Sequence, residues 1–282
     1  MTLTRRQVRD LLAEHGLSPS RALGQNFVAD PNTVRRIARL AGVGPGDRVV
    51  EVGPGLGSLT LALAETGAEV TAVELDRHLL PLLRSVVEPH GVRIVEGDAM
   101  HLDWDKVLGG EGGVGGEGDH DRRAPWALVA NLPYNVATPL LLDVLAEVPA
   151  IERMLVMVQR EVGERLAAKP GDKAYGIPSV KLAYRAEAEV VGRVPPTVFV
   201  PQPRVESVLV RVRRLPEPPI DADPERLFRL MDAGFGQRRK MLRRSLAALV
   251  VDPSAFERAG VRPEARAEEL SLADWARLAD AL

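Results

Sequence analysis

The sequence predicts an α/β fold with a doubly wound, mostly parallel sheet, followed by a small helical C-terminal domain. Short apolar runs alternate with helical segments through the first two-thirds of the chain, which is typical of a parallel sheet. A glycine-rich turn joins the first of these runs to a helix. Beyond LPEPPIDADP (215–224), the pattern becomes purely helical. We therefore predict one domain over residues 1–214 and a second over 215–282.

Local signals predict each element in order. A first helix covers 5–15, and a second starts at Asp30-Pro31, an N-cap followed by a first-turn proline, and stops at Gly42. Strands are predicted at 48–52, 69–74, 92–95, 126–130 and 153–158, and further helices at 57–66, 78–87, 138–147 and 160–168. Two late extended runs, 187–194 and 205–213, have no helix between them and suit an antiparallel edge of the sheet. C-terminal helices are predicted at 224–235, 237–250, about 253–259 and 271–281.

The composition excludes several classes of protein. The 282 residues include no cysteine, which rules out disulfides, thiolate zinc sites and a cysteine nucleophile and fits a cytoplasmic protein. The five histidines show no metal spacing, so no metal is expected. The N-terminal segment is too charged for a signal peptide. The uncharged run 124–142 carries two Asn, three Pro and a Tyr, which argues against a membrane helix. Residues 109–118, GGEGGVGGEG, are interpreted as a flexible insertion.

Acidic and glycine residues follow three successive strands. Glu51-Val52-Gly53-Pro54-Gly55-Leu56-Gly57 connects the first strand to a helix, Glu74 ends the second strand, and Asp98 follows the third. Each could be structural on its own: a tight turn, a solvated strand end or a helix cap. Together they predict a cofactor site, because ligands bind at the carboxyl ends of such strands and an acid there normally binds ribose.

The spacing of the glycines favours one cofactor over another. The dinucleotide pattern is G-x-G-x-x-G, whereas this chain has G-x-G-x-G, which weakens an NAD site. The E-x-G-x-G-x-G loop resembles that of the class I S-adenosylmethionine (SAM) methyltransferases. That resemblance implies their Rossmann-like sheet, with SAM as cofactor and Asp98 as an acceptor for the adenine amine.

The sequence ANLPYN (130–135) follows the fourth strand and contains no strong acid, base or nucleophile. It resembles the (N/D)-P-P-(Y/F) element of adenine-N6 methyltransferases. The side-chain carbonyl of Asn131 and the main-chain carbonyl of Leu132 can accept the two N6 hydrogens, which frees the amine lone pair. Pro133 stiffens the turn, and Tyr134 offers a face for stacking. The alternative is an ordinary Asn-Pro turn.

The target base must be unpaired or flipped out to reach such a site. A second aromatic ring would help to hold it, and Phe199 in VPPTVFVPQPRVES is the candidate. An ordinary core phenylalanine is the alternative at that position. Catalysis would then consist mostly of positioning, because the methyl group of SAM is already activated.

The chain resembles the KsgA-type small-subunit ribosomal RNA adenine dimethyltransferases over nearly its whole length. The matching segments are LGQNFVADPN (23–32), VVEVGPGLGSLTLAL (49–63), VELD (73–76), GDA (97–99), NLPYNVATPLL (131–141), MVQREVGERLAAKPGDKAYG (157–176), VFVPQPRVES (198–207) and FGQRRKMLRRSL (235–246). The resemblance implies transfer of two methyl groups to N6 of each of two adjacent adenosines in the 3′-terminal hairpin loop of 16S rRNA. The implied partner is the immature 30S subunit, late in its assembly, and a monomer is expected.

The resemblance also implies which residues form the site. An N-terminal segment would fold over SAM, and the expected cofactor contacts are Gln25, Asn26, Val28, Gly53, Gly55, Glu74, Leu75, Asp98, Ala99 and Asn131. The expected catalytic residues are Asn131, Leu132, Pro133, Tyr134 and Phe199. Departures from the family pattern, such as Val28 for the usual Leu and Ala137 for a common Ser, do not touch the predicted chemistry.

A basic run lies in the C-terminal domain of a chain whose net charge is only −2. In QRRKMLRR (237–244), five of eight residues are basic, and Arg239, Lys240 and Arg243 would share one face of a helix. A solvated helix face is the alternative. Beside an adenine methyltransferase, phosphate contact is the favoured interpretation, and the predicted RNA-binding residues are Arg238, Arg239, Lys240, Arg243 and Arg244.

Three rival functions stay open at this point. An Erm-type enzyme would methylate a large-subunit (23S) rRNA adenine. A ribosome-assembly factor could bind RNA and SAM without depending on catalysis. A small-molecule methyltransferase is disfavoured by the basic C-terminal run.

Overall fold

The computed structural model describes residues 2–109, 125–134, 136–249 and 252–282, so most of the predicted glycine insertion lies outside the described residues. The chain divides into two compact units: Met1–Gly163 with Val190–Arg213, and Glu164–Glu189 with Arg214–Leu282. Residues 164–189 therefore belong to the second unit, whereas the sequence prediction placed them in the first domain. The reason is that Tyr175, Val180 and Tyr184 pack into the helical core of the second unit.

The described residues form nine strands and twelve helices. The strands are β1 (Phe27–Val28), β2 (Arg48–Val52), β3 (Glu69–Glu74), β4 (Arg93–Glu96), β5 (Trp126–Asn131), β6 (Ile151–Gln159), β7 (Ala186–Val194), β8 (Phe199–Val200) and β9 (Ser207–Arg214). The helices are α1 (Arg5–Glu14), α2 (Pro31–Ala41), α3 (Ser58–Ala64), α4 (Leu80–Val87), α5 (Trp104–Gly109), α6 (Ala137–Glu147), α7 (Arg160–Leu166), α8 (Ile177–Ala183), α9 (Pro224–Gly236), α10 (Leu242–Ser245), α11 (Ser254–Arg258) and α12 (Leu272–Asp280).

The main sheet has seven strands in the order β4-β3-β2-β5-β6-β9-β7. Strands β2 to β6 pair in parallel, and β9 runs antiparallel to β6, which confirms the predicted parallel sheet with an antiparallel edge. The central strands are apolar on both faces, as expected when helices cover both sides; Val49, Leu128 and Val156 are completely buried. Strands β2, β3 and β5 consequently end at one edge.

The segment between α1 and α2, residues 17–30, is here called the strap. Its end forms β1, which pairs with β8 in a separate two-stranded ladder that the sequence did not predict. Asp30 then caps α2 as predicted, because its Oδ2 accepts a hydrogen bond from the Thr33 N–H at 2.8 Å. The ladder and the cap together fix the C-terminal half of the strap.

The second unit is helical, but the predicted helix over 237–250 is wrong. Of the described residues 237–249, only Leu242–Ser245 is helical, and Met241 before it has an extended backbone. The N–H groups of Leu242 and Arg243 donate to the carbonyls of Ala265 and Pro263, at 2.8 and 3.0 Å. These bonds to a distant segment replace the i→i−4 bonds of a continuous helix. Helix α8 was also missed by the sequence prediction.

The elements of the second unit pack around Trp275, which is completely buried. Gly234 in α9 lets the indole approach closely, since a Cβ there would lie 2.4 Å from Trp275 Cη2. The Tyr175 hydroxyl donates to the Leu270 carbonyl at 3.1 Å. In the described part of the chain, every helix is too short or too polar to cross a membrane.

Close packing of α7 on the sheet gives a test of the fold. A Cβ at Gly163 would lie 2.3 Å from Val208 Cγ2 and 2.9 Å from Val210 Cγ2. We predict that Gly163→Ala lowers the unfolding free energy by about 1–3 kcal/mol through overpacking, despite the better helix propensity of alanine. Urea unfolding measures it. The control is Gly236→Ala at the end of α9, where a Cβ meets nothing within 4 Å. Equal stability of Gly163→Ala and wild type would contradict the packing described.

Candidate active site

A cavity lies at the carboxyl ends of the parallel strands, where α/β sheets bind their ligands. Its wall contains every residue predicted for the cofactor and four of the five predicted for catalysis. These are Gln25, Asn26, Val28, Gly53, Gly55, Glu74, Leu75, Asp98, Ala99, Asn131, Leu132, Pro133 and Tyr134. The strap, the glycine turn after β2 and the turn after β5 thus surround one space.

The glycine turn brings backbone close to both the cavity and the strap. Gly53 and Gly55 have φ values of +69° and +57°, the left-handed region that side chains other than glycine adopt only with strain. A Cβ at Gly55 would lie 2.7 Å from Phe27 Cδ1. Glycine at this position is therefore required both for the turn and for the Phe27 ring to pack over it.

Glu74 is a buried carboxylate at the end of β3. Its Oε2 accepts from the Gly55 N–H at 3.0 Å, and its Oε1 accepts from the Asp76 N–H at 2.8 Å. Burial raises the pKa of Glu74, and these backbone donors partly offset the rise. Each oxygen keeps a further lone pair for a ligand hydroxyl. Leu75, next in the chain, exposes about half of its apolar side chain (49%) beside the cavity.

Asp98 is an ionised acceptor at the third strand end. The backbone N–H of Met100 donates to Asp98 Oδ1 at 2.9 Å, and that bond holds the pKa of the Asp98 carboxyl below its usual value. His101 Nδ1 lies 3.1 Å from the other oxygen. Asp98 and Ala99 both line the cavity.

The amide side chain of Gln25 makes one hydrogen bond within the strap and one from the strap to the segment after β3. Gln25 Oε1 accepts from the Ser20 N–H at 2.8 Å, which shapes the strap internally. Gln25 Nε2 donates to Asp76 Oδ2 at 2.7 Å, which ties the strap to the segment after β3. Asp76 was not predicted as a site residue; its signal was its position in VELD, two residues after Glu74.

Asn131 ends β5 with its amide group in a defined orientation. Its Nδ2 donates to the Asn26 carbonyl of the strap at 3.1 Å. Its Oδ1 accepts from none of the residues that the structure describes. Leu132 N–H donates to the Met157 carbonyl at 3.1 Å, and no described residue donates to the Leu132 carbonyl. Among the described residues, these two carbonyl oxygens therefore have no hydrogen-bond donor.

The turn continues directly into α6. The Pro133 carbonyl accepts from the N–H groups of Val136 and Ala137, each at 3.2 Å. The Tyr134 ring lines the cavity, and its hydroxyl lies 3.2 Å from the Ser207 hydroxyl. Burial raises the pKa of the Tyr134 phenol, so it stays protonated in neutral solution.

The structure does not bring Phe199 into the cavity. Its side chain is 0% exposed and belongs to the main hydrophobic core, and in the β1–β8 ladder it pairs with Val28. A ring enclosed on all sides offers no face to a base. The predicted stacking role therefore disagrees with this arrangement, and the alternative, a core phenylalanine, describes it.

Two polar groups in the cavity wall were missed by the sequence analysis. Glu51 is 1% exposed, and burial raises its pKa from 4.5 to about 8, with the nearby Glu74 carboxyl acting in the same direction. Glu51 Oε2 and the buried Ser58 hydroxyl have no hydrogen-bond partner among the described residues. The signal for Glu51 was a charged residue inside the apolar strand RVVEV.

The five basic residues that the sequence predicted for RNA binding divide into two groups. Arg238 Nε pairs with Glu268 at 2.5 Å, and Arg243 pairs with Glu264 at 3.3 Å. Arg239, Lys240 and Arg244 are exposed, and no described acid pairs with them. Arg239, Lys240 and Arg243 do not share one face of a helix as predicted, because residues 237–240 form turns and α10 begins only at Leu242. Within the described ranges, no cluster of three metal-ligating side chains occurs.

Comparison with known proteins agrees with this geometry. Residues 17–282 match the family model "Ribosomal RNA adenine dimethylase". Ribosomal RNA small subunit methyltransferase A of Thermobifida fusca is 48% identical, over 99% of this chain and 95% of its own length. The Kineococcus radiotolerans protein of the same name is 49% identical, over 98% and 90%.

Two solved structures share the fold. The 23S rRNA methyltransferase ErmE superposes with a TM-score of 0.67 and 28% identity, over 91% of this chain and 99% of its own. A dimethyladenosine transferase from Plasmodium falciparum gives a TM-score of 0.72 at 21% identity, over 89% and 95%.

The sheet order and the cavity at its carboxyl edge define a class I SAM-dependent methyltransferase. The residues present fit that cofactor: acids end two successive strands, and Glu51 and Ser58 in the cavity wall each hold a buried polar atom without a hydrogen-bond partner among the described residues. The chain belongs to the ribosomal RNA adenine dimethylase family. The sequence-based expectation of a SAM-dependent rRNA adenine dimethylase is thereby confirmed.

The buried Glu51 carboxyl predicts a pH-dependent stability. Because the pKa of Glu51 is about 8 in the folded protein and 4.5 is its ordinary value, the folded state keeps this proton up to a higher pH than the unfolded state does. Its contribution to stability is complete below about pH 4.5 and is lost as the pH rises to about 8. We predict that Glu51→Gln, which cannot ionise, raises the melting temperature at pH 8 relative to wild type and gives a smaller difference at pH 5.

Thermal unfolding of the ligand-free protein at pH 5, 6.5 and 8 measures this. Glu69→Gln, at an exposed position on β3, is the matched control and should leave the pH profile unchanged. A difference between Glu51→Gln and wild type that does not vary with pH would contradict the assigned pKa.

Proposed function

We propose that the protein transfers methyl groups from SAM to N6 of two adjacent adenosines in the 3′-terminal hairpin loop of 16S rRNA, two methyl groups to each. The observation that carries the chemistry is the pair of available carbonyl oxygens, Asn131 Oδ1 and the Leu132 carbonyl, at the edge of the cofactor cavity. The small-subunit target is supported by the names of relatives that are 48% and 49% identical.

The adenine amine is a poor nucleophile because its lone pair is delocalised into the ring. Asn131 Oδ1 and the Leu132 carbonyl can each accept one N6 hydrogen, which draws the nitrogen toward tetrahedral geometry and localises the lone pair. The bond from Asn131 Nδ2 to the strap supports this role because it turns Oδ1 away from the strap. Bound SAM supplies a methyl group on a sulfonium centre that needs no further activation. The protein then contributes mainly position and the exclusion of water.

The cavity wall suggests how SAM is held. Glu74 would accept the ribose hydroxyls, and Asp98 the adenine amine. Glu51 would meet the ammonium group of the amino-acid end, because a buried carboxyl with an unpartnered oxygen gains most from a cation. Gln25 and Asn26 would keep the strap closed over the cofactor.

RNA contact in the second unit would come from Arg239, Lys240 and Arg244. Arg238 and Arg243 are engaged with Glu268 and Glu264, so less of their charge is available to phosphate. If each of these three side chains contacts a phosphate, RNA binding should release about two to three counterions, and the affinity should fall with salt accordingly. The proposed substrate is the immature 30S particle in the cytoplasm, with the protein acting as a monomer.

A second candidate is methylation of 23S rRNA, which the structural likeness to ErmE favours. Its sequence identity of 28% is well below the 48–49% of the small-subunit relatives. We therefore place the large-subunit target second.

Mapping of methylated nucleotides tests the proposal. Purified protein is incubated with labelled SAM and, separately, small subunits that lack the modification, naked 16S rRNA and 23S rRNA; products are located by mass spectrometry. We predict dimethyladenosine in the terminal 16S hairpin, most strongly on particles. Asn131→Ala should lose about 10²-fold or more in rate, because one of the two acceptors is gone. Asn32→Ala, at an exposed position on α2, is the control.

Label on 23S rRNA alone would replace the proposed target with the second candidate. SAM binding without label on any RNA would leave a non-catalytic assembly role. Full replacement of the wild-type protein in cells by Asn131→Ala would show that methylation is not its main task.

A further inference from the structure

Tyr134 is the cavity residue whose ring is best placed to stack on a target base. The other aromatic residue predicted to stack, Phe199, is enclosed in the core. The Tyr134 side chain must be held in one orientation if the face of its ring is to stack on the base. The described contact that can fix it is the one between the hydroxyls of Tyr134 and Ser207, at 3.2 Å.

Ser207 is a rigid anchor for this contact. Its side chain is 0% exposed, and it is the first residue of β9, where it pairs with Gln159 at the end of β6. The adjoining backbone is also held, because Arg160 N–H donates to the Glu206 carbonyl at 2.9 Å. The Arg160 guanidinium and the Glu206 carboxylate lie 3.0 Å apart.

The sheet register explains why a distant strand supplies the anchor. Asn131, at the end of β5, pairs with Met157 in β6, and β6 continues to Gln159, beside Ser207. The Tyr134 side chain therefore reaches past the end of β6 to the first residue of β9. The antiparallel strand β9, which contributes no residue to the cavity wall, is thereby connected to the proposed catalytic turn.

We infer that Ser207 is a positioning residue for methyl transfer: its hydroxyl bond holds the Tyr134 ring in the orientation that stacks on the target adenine. The inference rests on the proposed function. It assigns Ser207 no contact with SAM or with the reacting atoms. The half-buried phenol, whose pKa is raised further by burial, can serve as donor or acceptor in this bond.

A double-mutant cycle tests the inference, with Ser207→Ala, Tyr134→Phe and the double variant assayed on small subunits at saturating SAM. Each single variant removes the same bond while Tyr134→Phe keeps the ring. We predict that each lowers kcat by about tenfold, that the double variant is no slower than Tyr134→Phe alone, and that the Kd for SAM is unchanged. The control is Ser85→Ala on α4, where the serine Oγ donates to the Leu82 carbonyl outside the cavity.

Stacking is measured separately, by the fluorescence of 2-aminopurine that replaces the target adenosine in a hairpin RNA. Wild type should quench its fluorescence on binding, and Ser207→Ala and Tyr134→Phe should quench less. Wild-type kcat and quenching in both single variants, or additive losses in the double variant, would overturn the inference. If Ser207→Ala fails to fold, wild-type values for Tyr134→Phe alone overturn it.

The two proposals fail in different ways. Absence of methylation by wild type on every RNA removes the proposed function and this inference with it. Normal methylation by wild type together with unaffected variants removes only the role of Ser207.

Discussion

The hydrogen bond from Asn131 Nδ2 to the Asn26 carbonyl is the contact on which the arrangement of the site depends. It joins the turn after β5 to the strap beside the cavity. It also sets the orientation of the Asn131 amide, since the nitrogen is bonded to the strap and the oxygen is left without a described donor. One bond therefore joins the strap to the turn and orients the oxygen that we propose accepts the adenine amine.

Further contacts connect the strap to the end of β3 and to the glycine turn. Gln25 connects the strap to Asp76, next to Glu74, and Glu74 holds the glycine turn through the Gly55 N–H. The packing of Phe27 over Gly55 connects that turn back to the strap. The burial of Glu51 and Glu74 costs stability in the ligand-free protein, and a cationic, hydroxyl-bearing cofactor can offset that cost.

The sequence predicted those parts of the site that short motifs encode. Strand ends in a parallel sheet meet at one edge, so Glu74, Asp98 and Asn131 could be placed together from the sequence alone. Phe199 could not be placed, because its burial depends on pairing of β8 with β1, about 170 residues away in the chain. Nothing in the sequence marked Ser207 as the partner of Tyr134, since that contact depends on the antiparallel register of β9.

In the second unit, too, contacts between residues far apart in the chain could not be predicted from the sequence. The run 237–250 has helical composition, yet backbone bonds from Leu242 and Arg243 to residues 263–265 break it, and local propensity does not contain that information. The division of basic residues into paired and unpaired ones was equally hidden, because the partners Glu264 and Glu268 are more than twenty residues away.

We propose that Asn131 acts as an oriented amide whose nitrogen binds the strap and whose oxygen accepts the substrate amine. The single-turnover rate of Asn131→Asp on small subunits at saturating SAM tests this role. A carboxylate keeps the acceptor oxygens but cannot donate to the Asn26 carbonyl and repels it. We expect a rate about 10- to 100-fold below wild type, with a strap more susceptible to proteolysis. A rate within about twofold of wild type would contradict this role for the amide, because acceptor capacity alone would then be enough.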